Sequence, residues 1–219
     1  MRIKKKLTYH HGHLRRLIMD ISINTIEQQG VEGINFRALS VMTGVSPGAP
    51  YHHFEDRPAL VLALAQEGFE LLEAAMVKTS QTIKNNPIEK LEALAHTYLH
   101  FAVSHPGYFK VMFRADAVSN AHEVLTHPTK LIFECLCNAI EESQEQGTAP
   151  QGETLPLALL FWSTVHGLAT LLTNDSLKKF FIPEDKLTAS IIHLMTKIFD
   201  TKAKASLAQK NRSKKSAKS

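Results

Sequence analysis

The chain has 219 residues, 44% of them hydrophobic and 21% charged, with a net charge of +4 and an isoelectric point near 9.0. That length buries a sizeable core without covalent staples, and ten glycines, nine prolines and two cysteines exclude collagen-like, disulfide-scaffolded and wholly unfolded chains. The charge is uneven: residues 1–19 carry +6, residues 201–219 carry +7 and the stretch between them carries −9, which argues against a protein that packages nucleic acid with its whole body.

The two basic ends have two readings. They are solvated tails, or they attract a polyanion such as nucleic acid or an acidic membrane surface. No apolar stretch follows the basic residues Arg2 to Lys6, so they do not read as a secretion leader, and a cytoplasmic chain is expected. Leu14, Leu17, Ile18, Ile21 and Ile26 fall on one face of a helix over 11–29, which Gly30 closes. Gly30 to Gly33 reads as a turn. Asn35 caps a short helix over 36–42, with Gly44 just past its end. Ser46 then caps a second short helix that opens on Pro47 and runs to about His53. Asp56 caps a long helix from Arg57 to about Ile83, with Pro58 in its tolerant first turn.

Asn86-Pro87 opens a helix to about Ser104, and His105-Pro106-Gly107 breaks it. A short aromatic helix over 108–114 follows, then one over 128–146. Residues 147–153 form the clearest loop. The last helices cover 155–173 and 184–200. Residues 154–174 are uncharged over a membrane-spanning length, yet carry Pro156, Ser163, Thr164, His166 and Gly167, and read as a buried central helix. The stretch from Lys202 onward has almost nothing to bury and is expected to stay unfolded. The fold class is all-α.

The sharpest signal lies between residues 35 and 57. Two short helices joined by Thr43-Gly44-Val45-Ser46 have the length and chemistry of a helix-turn-helix. Pro47, Gly48, Ala49 and His52 make a sparse face that suits close approach to a DNA major groove, and the Ser46-capped helix start suits phosphate. Arg37 and Arg57 flank that face and are placed for backbone phosphate. An ordinary pair of packed helices is the other reading of these residues alone.

The stretch 30–64 resembles the DNA-binding domain of TetR/AcrR-family transcriptional regulators. Gly44-Val45-Ser46, Tyr51, Phe54 and Asp56-Arg57 match that family's pattern. The resemblance implies an all-α chain of about nine helices acting as a homodimer. It gives Tyr51 and Arg57 the phosphate-contacting places, and Pro47, Gly48, Ala49 and His52 the groove-facing ones. Pro50 departs from the usual aliphatic residue, and Arg57 stands for the more usual Lys. Trp162, His166 and Gly167 resemble a Trp-x-x-x-His-Gly signature in the regulatory domain of one subgroup. The expected organisation is a basic arm over 1–9, whose Lys4, Lys5 and Lys6 reach the DNA, a DNA-binding domain over 10–64, a ligand and dimer domain over 65–200, and a tail over 201–219.

The expected function is a regulator released from a palindromic operator by a small apolar or amphipathic effector. Phe101, Phe109, Met112, Phe113, Trp162 and His166 are the expected pocket. His166 has a second reading as a residue bonded to a neighbouring helix. Helices 155–173 and 184–200, with Leu157, Leu160, Phe161, Leu168, Ile191, Leu194, Met195 and Ile198, are expected to pair with a second copy as a four-helix bundle. No cofactor, metal or membrane partner is expected, and no motif suggests an enzyme. The alternatives are a helical enzyme, or a metal or redox sensor on the same fold through His96 and His100 or Cys135 and Cys137.

Overall fold

A computed structural model of the chain describes residues 11–114, 122–174 and 184–199. It contains α1 (His11–Gln29), a 3-10 turn at Val31–Gly33, α2 (Phe36–Thr43), a 3-10 turn at Pro50–His52, α3 (Arg57–Thr82), α4 (Pro87–Ser104), α5 (Pro106–Met112), α6 (His122–Glu145), α7 (Thr154–Thr173) and α8 (Glu184–Phe199). No strand occurs among the described residues, so the fold is all-α, with eight α-helices described. Lys4, Lys5 and Lys6 and the tail over 201–219 lie outside the described residues.

The chain divides into two units. One holds residues up to Phe69 together with 105–125, and the other holds 70–104 and the residues from 126 onward. Helix α3 therefore gives its first half to one unit and its second half to the other. The boundary expected between 64 and 65 falls inside α3. Helix α5, expected in the second domain, packs within the first unit.

Local chemistry sets the ends of the short elements in the first unit. The Asn35 side chain accepts hydrogen bonds from the Arg37 and Ala38 main-chain N–H groups, at 2.9 and 3.2 Å, and starts α2. Gly44 closes it in the left-handed region (φ 70°) and donates to the Ser40 and Val41 carbonyls. Asp56 accepts from the Ala59 N–H at 2.8 Å and starts α3. Ile18, Ile26, Leu60, Leu64, Val111 and Met112 are fully buried, each contributing about 1.5–3 kcal/mol. Leu14 is also buried, while Leu17 and Ile21 are half-buried. Helix α5 lies close on α1 because Gly107 has no side chain: a Cβ there would stand 2.9 Å from the Ile23 carbonyl oxygen. The Lys110 ammonium donates to the Glu27 carbonyl at 3.0 Å, near the C-terminus of α1.

Three expected boundaries differ. Residues 46–53 form turns and a 3-10 helix rather than an α-helix. Pro50 has no N–H to return to the Ser46 carbonyl, which accepts from Ala49 instead, and i→i+3 bonds continue at Tyr51, His52 and His53. The aromatic helix begins at Pro106, not Tyr108, because proline fits a first helical position. Pro128 lies inside α6 instead of opening it.

In the second unit α4 packs against both α7 and α8. Leu91, Leu94, Ala95, Tyr98, Leu99, Phe101 and Ala102 are its buried apolar residues. Lys90 is also buried and pairs with Glu142 of α6 at 2.5 Å. Helix α7 is not the buried central helix expected: Leu155, Leu159, Leu160 and Leu171 are exposed, while Phe161, Val165 and Leu168 are buried. A segment apolar all round does not announce which face its own chain covers. It remains long and apolar enough to cross a membrane by length and composition, with a third of its most apolar window buried. Of the residues expected between copies, Phe161, Leu168 and Met195 are buried in their own unit, Leu157 and Ile191 are half-buried, and Leu160 and Leu194 are exposed. The Ile198 side chain lies outside the described residues.

Candidate nucleic-acid interface

The segment from Ser46 to Phe54 is held by two buried residues, Pro50 and Phe54, and shows the rest of its length to solvent or leaves it half-buried. Ser46, Pro47, Gly48, Tyr51 and His52 are exposed, and Ala49 is half-buried. The Arg15 guanidinium lies 5.1 Å over the Phe54 ring and fixes the end of the segment against α1. Gly48 needs its missing side chain for neither packing nor backbone: a Cβ there would meet nothing within 4 Å, and its φ is not positive. The N–H groups of Ala49, Tyr51, His52 and His53 all donate to main-chain carbonyls of the same segment. The open α-helical N-terminus expected after Ser46 is therefore absent.

Polar side chains gather beside this segment. A cleft of about 300 Å³ is lined by Ile34, Asn35, Phe36, Arg37, Tyr51, Asp56 and Arg57. The Tyr51 ring packs on Phe36, with centroids 4.8 Å apart, and is 58% exposed. Arg37 is exposed in the first turn of α2. Arg57, first residue of α3, forms an ion pair with Glu32, which also meets Arg114 at 3.4 Å. The Arg57 hydrogen bond holds the Glu32 carboxyl below the usual carboxylate range, with Arg114 helping. Glu32 escapes sequence reasoning because its partners lie 25 and 82 residues away.

The six expected pocket residues fall into the two units. In the first, Phe109 and Met112 are buried and Phe113 is half-buried. The Phe113 ring packs on Phe109 and on Phe69, at centroid distances of 5.3 and 5.4 Å. In the second, Phe101 is buried, and His166 packs on Trp162 at 5.4 Å and hydrogen-bonds the Tyr98 hydroxyl at 2.8 Å. Both readings of His166 touch a fact here: it is bonded to a neighbouring helix, and it stacks on Trp162. Tyr98 was not singled out in the sequence, where it passes for one more apolar position of α4.

No group of three His, Cys, Asp or Glu suited to a metal occurs among the described residues, and His96 and His100 are exposed. Burial, with nearby Glu134 or Glu141, pushes the Cys135 and Cys137 thiols up, away from the reactive thiolate.

Residues 91–196 match the family described as the tetracyclin repressor-like C-terminal domain. Trp162, His166 and Gly167 lie inside that span. The chain is 25% identical over 168 residues to the uncharacterized HTH-type transcriptional regulator YobS of Bacillus subtilis, covering 77% of this chain and 83% of that one. A solved protein of unknown function from Rhodococcus sp. RHA1 is 29% identical with a TM-score of 0.74, over 90% of this chain and all of that one. The regulator FadR from Bacillus subtilis, solved with stearoyl-CoA, shares the fold at 15% identity and a TM-score of 0.66, over 83% of this chain and 97% of that one. With an all-helical fold, residues 91–196 matching the tetracyclin repressor-like C-terminal domain and these relatives, the chain is similar to TetR-family transcriptional regulators.

Proposed function

We propose that the cleft beside Tyr51 takes a backbone phosphate of duplex DNA, and that Pro47, Gly48, Ala49 and His52 face the bases of a major groove. The observation that carries this is the convergence of Arg37, Tyr51 and Arg57 on one cleft, next to a segment whose glycine serves no internal purpose. Ser46 sits at the segment's start, and the basic arm with Lys4, Lys5 and Lys6 adds charge to the same grip.

The protein acts as a homodimer that joins two such segments. Among the described residues, Leu155, Leu159, Leu160 and Leu171 on α7, with Leu194 on α8, are the large apolar side chains left open on those two helices, and a second copy covers them. A small apolar or amphipathic effector binds the helical remainder near Trp162 and His166 and releases DNA, which makes the protein a repressor. That FadR is solved with an acyl-CoA thioester supports an amphipathic effector. Selection of bound sequences from a random duplex pool tests the reading. A near-palindromic motif with two half-sites is expected, and a pool without enrichment overturns it.

A further inference from the structure

Glu32 is shared by two arginines. One carboxylate oxygen meets Arg57 and the other meets Arg114. The Glu32 side chain is 71% exposed, and those of Arg57 and Arg114 are 37% and 34% exposed. Exposed ion pairs contribute about 0–1 kcal/mol to stability, so the fold has little need of this one. Its place matters more. Arg57 lines the cleft while Glu32 does not, so Glu32 reaches the cleft through the guanidinium it holds.

A carboxylate and a phosphate both accept from an arginine's guanidinium, and Glu32 engages one nitrogen of Arg57, Nη2. We propose that Glu32 is a built-in competitor for DNA phosphate on Arg57, and that Arg114 tempers it by sharing the carboxylate. This rests on the reading that Arg57 meets phosphate. In free protein one Glu32 oxygen engages Nη2 of the Arg57 guanidinium. When DNA arrives, its negative charge is either displaced or left beside the backbone, and both outcomes subtract from affinity. Phosphate contacts carry no base information, so the subtraction falls alike on every sequence. Glu32 thereby sets the salt concentration at which the protein leaves DNA, without altering which operator it prefers.

The test needs no operator. Binding of the full chain to a labelled random-sequence duplex is measured by anisotropy across about 50–200 mM salt, where non-specific affinity is essentially electrostatic. Glu32→Gln is expected to tighten binding by up to about fivefold, the reach of an exposed pair. It should also steepen the salt slope by about 0.9. Arg57→Ala lowers both, and in that background Glu32→Gln adds nothing. Arg114→Gln weakens binding in the wild-type background and much less beside Glu32→Gln.

Each other outcome is decisive. If Arg57→Ala lowers affinity and slope while Glu32→Gln leaves binding unchanged or weakens it, the competitor role falls and the phosphate reading stands. If Arg57→Ala changes neither quantity, the phosphate reading falls and takes the proposal with it. An equal gain from Glu32→Gln with and without Arg57 makes Glu32 an ordinary surface charge and overturns the proposal.

Discussion

The hydroxyl of Tyr98 and Nδ1 of His166 lie 2.8 Å apart, a hydrogen bond that ties α4 to α7. Burial pushes the Tyr98 phenol up and the His166 imidazolium down, so both groups are neutral near pH 7. A histidine whose pKa falls on folding supplies stability that is complete above its unfolded value of about 6.5 and is lost as pH drops through the folded value. Thermal unfolding midpoints of wild type and His166→Gln, followed from neutral pH to about pH 5, should show the larger acid loss in wild type. Equal losses would remove His166 as the source.

Tyr51 and His52 are neighbours with different expected duties. Tyr51→Phe removes one hydroxyl from the cleft and should weaken binding to all sequences by about tenfold or more, the worth of one hydrogen bond to a charged group. His52→Ala should change which bases are selected at one position of each half-site. Binding to a panel of single-base operator variants separates the two effects. A base-specific loss in Tyr51→Phe would reverse the assignment.

The proposed dimer face divides cleanly from the core of its own unit. Leu160 and Leu194 are 58% and 59% exposed, whereas the neighbouring Phe161 is 2% exposed. Leu160→Glu and Leu194→Glu should give folded monomers in sedimentation at micromolar concentration. Phe161→Glu should instead unfold the chain, because an unpaired charge would enter the core. A dimer that survives both leucine changes would place the contact elsewhere.

Two glycines in the first unit give graded costs. At Gly107 an added Cβ meets the Ile23 carbonyl oxygen at 2.9 Å, and main chain cannot step aside. At Gly68 it meets the Met112 sulfur at 2.8 Å, on a side chain with several rotatable bonds. Gly107→Ala should therefore lower unfolding free energy by about 1–3 kcal/mol, and Gly68→Ala by less. Urea titration of both variants checks the order.

Much of this was legible from local chemistry. Asn35, Gly44 and Asp56 cap and close their helices as their side chains demand, because capping involves only residues within three or four positions. Arg37 and Arg57 were singled out by their places in the first turns of α2 and α3, and Tyr51 through a family pattern. The 46–53 segment misled because Pro50 was counted as tolerated in a first turn, although it withholds the N–H that an α-helix starting at Ser46 would need. Lys90 and Glu32 could not be read at all, since each is defined by a partner at least 25 residues away. The open face of α7 was hidden by its uniform apolarity.

The 3-10 segment keeps anchoring and display on different residues. Pro50 and Phe54 hold it to the helical body, and Pro47, Gly48, Tyr51 and His52 point outward. Side chains at 47, 48 and 52 can be exchanged without disturbing the buried pair. On the proposed reading, divergence of DNA preference among descendants of such a gene requires few codons and no repacking of the core. On that reading the segment is an interchangeable reading head on a fixed mount.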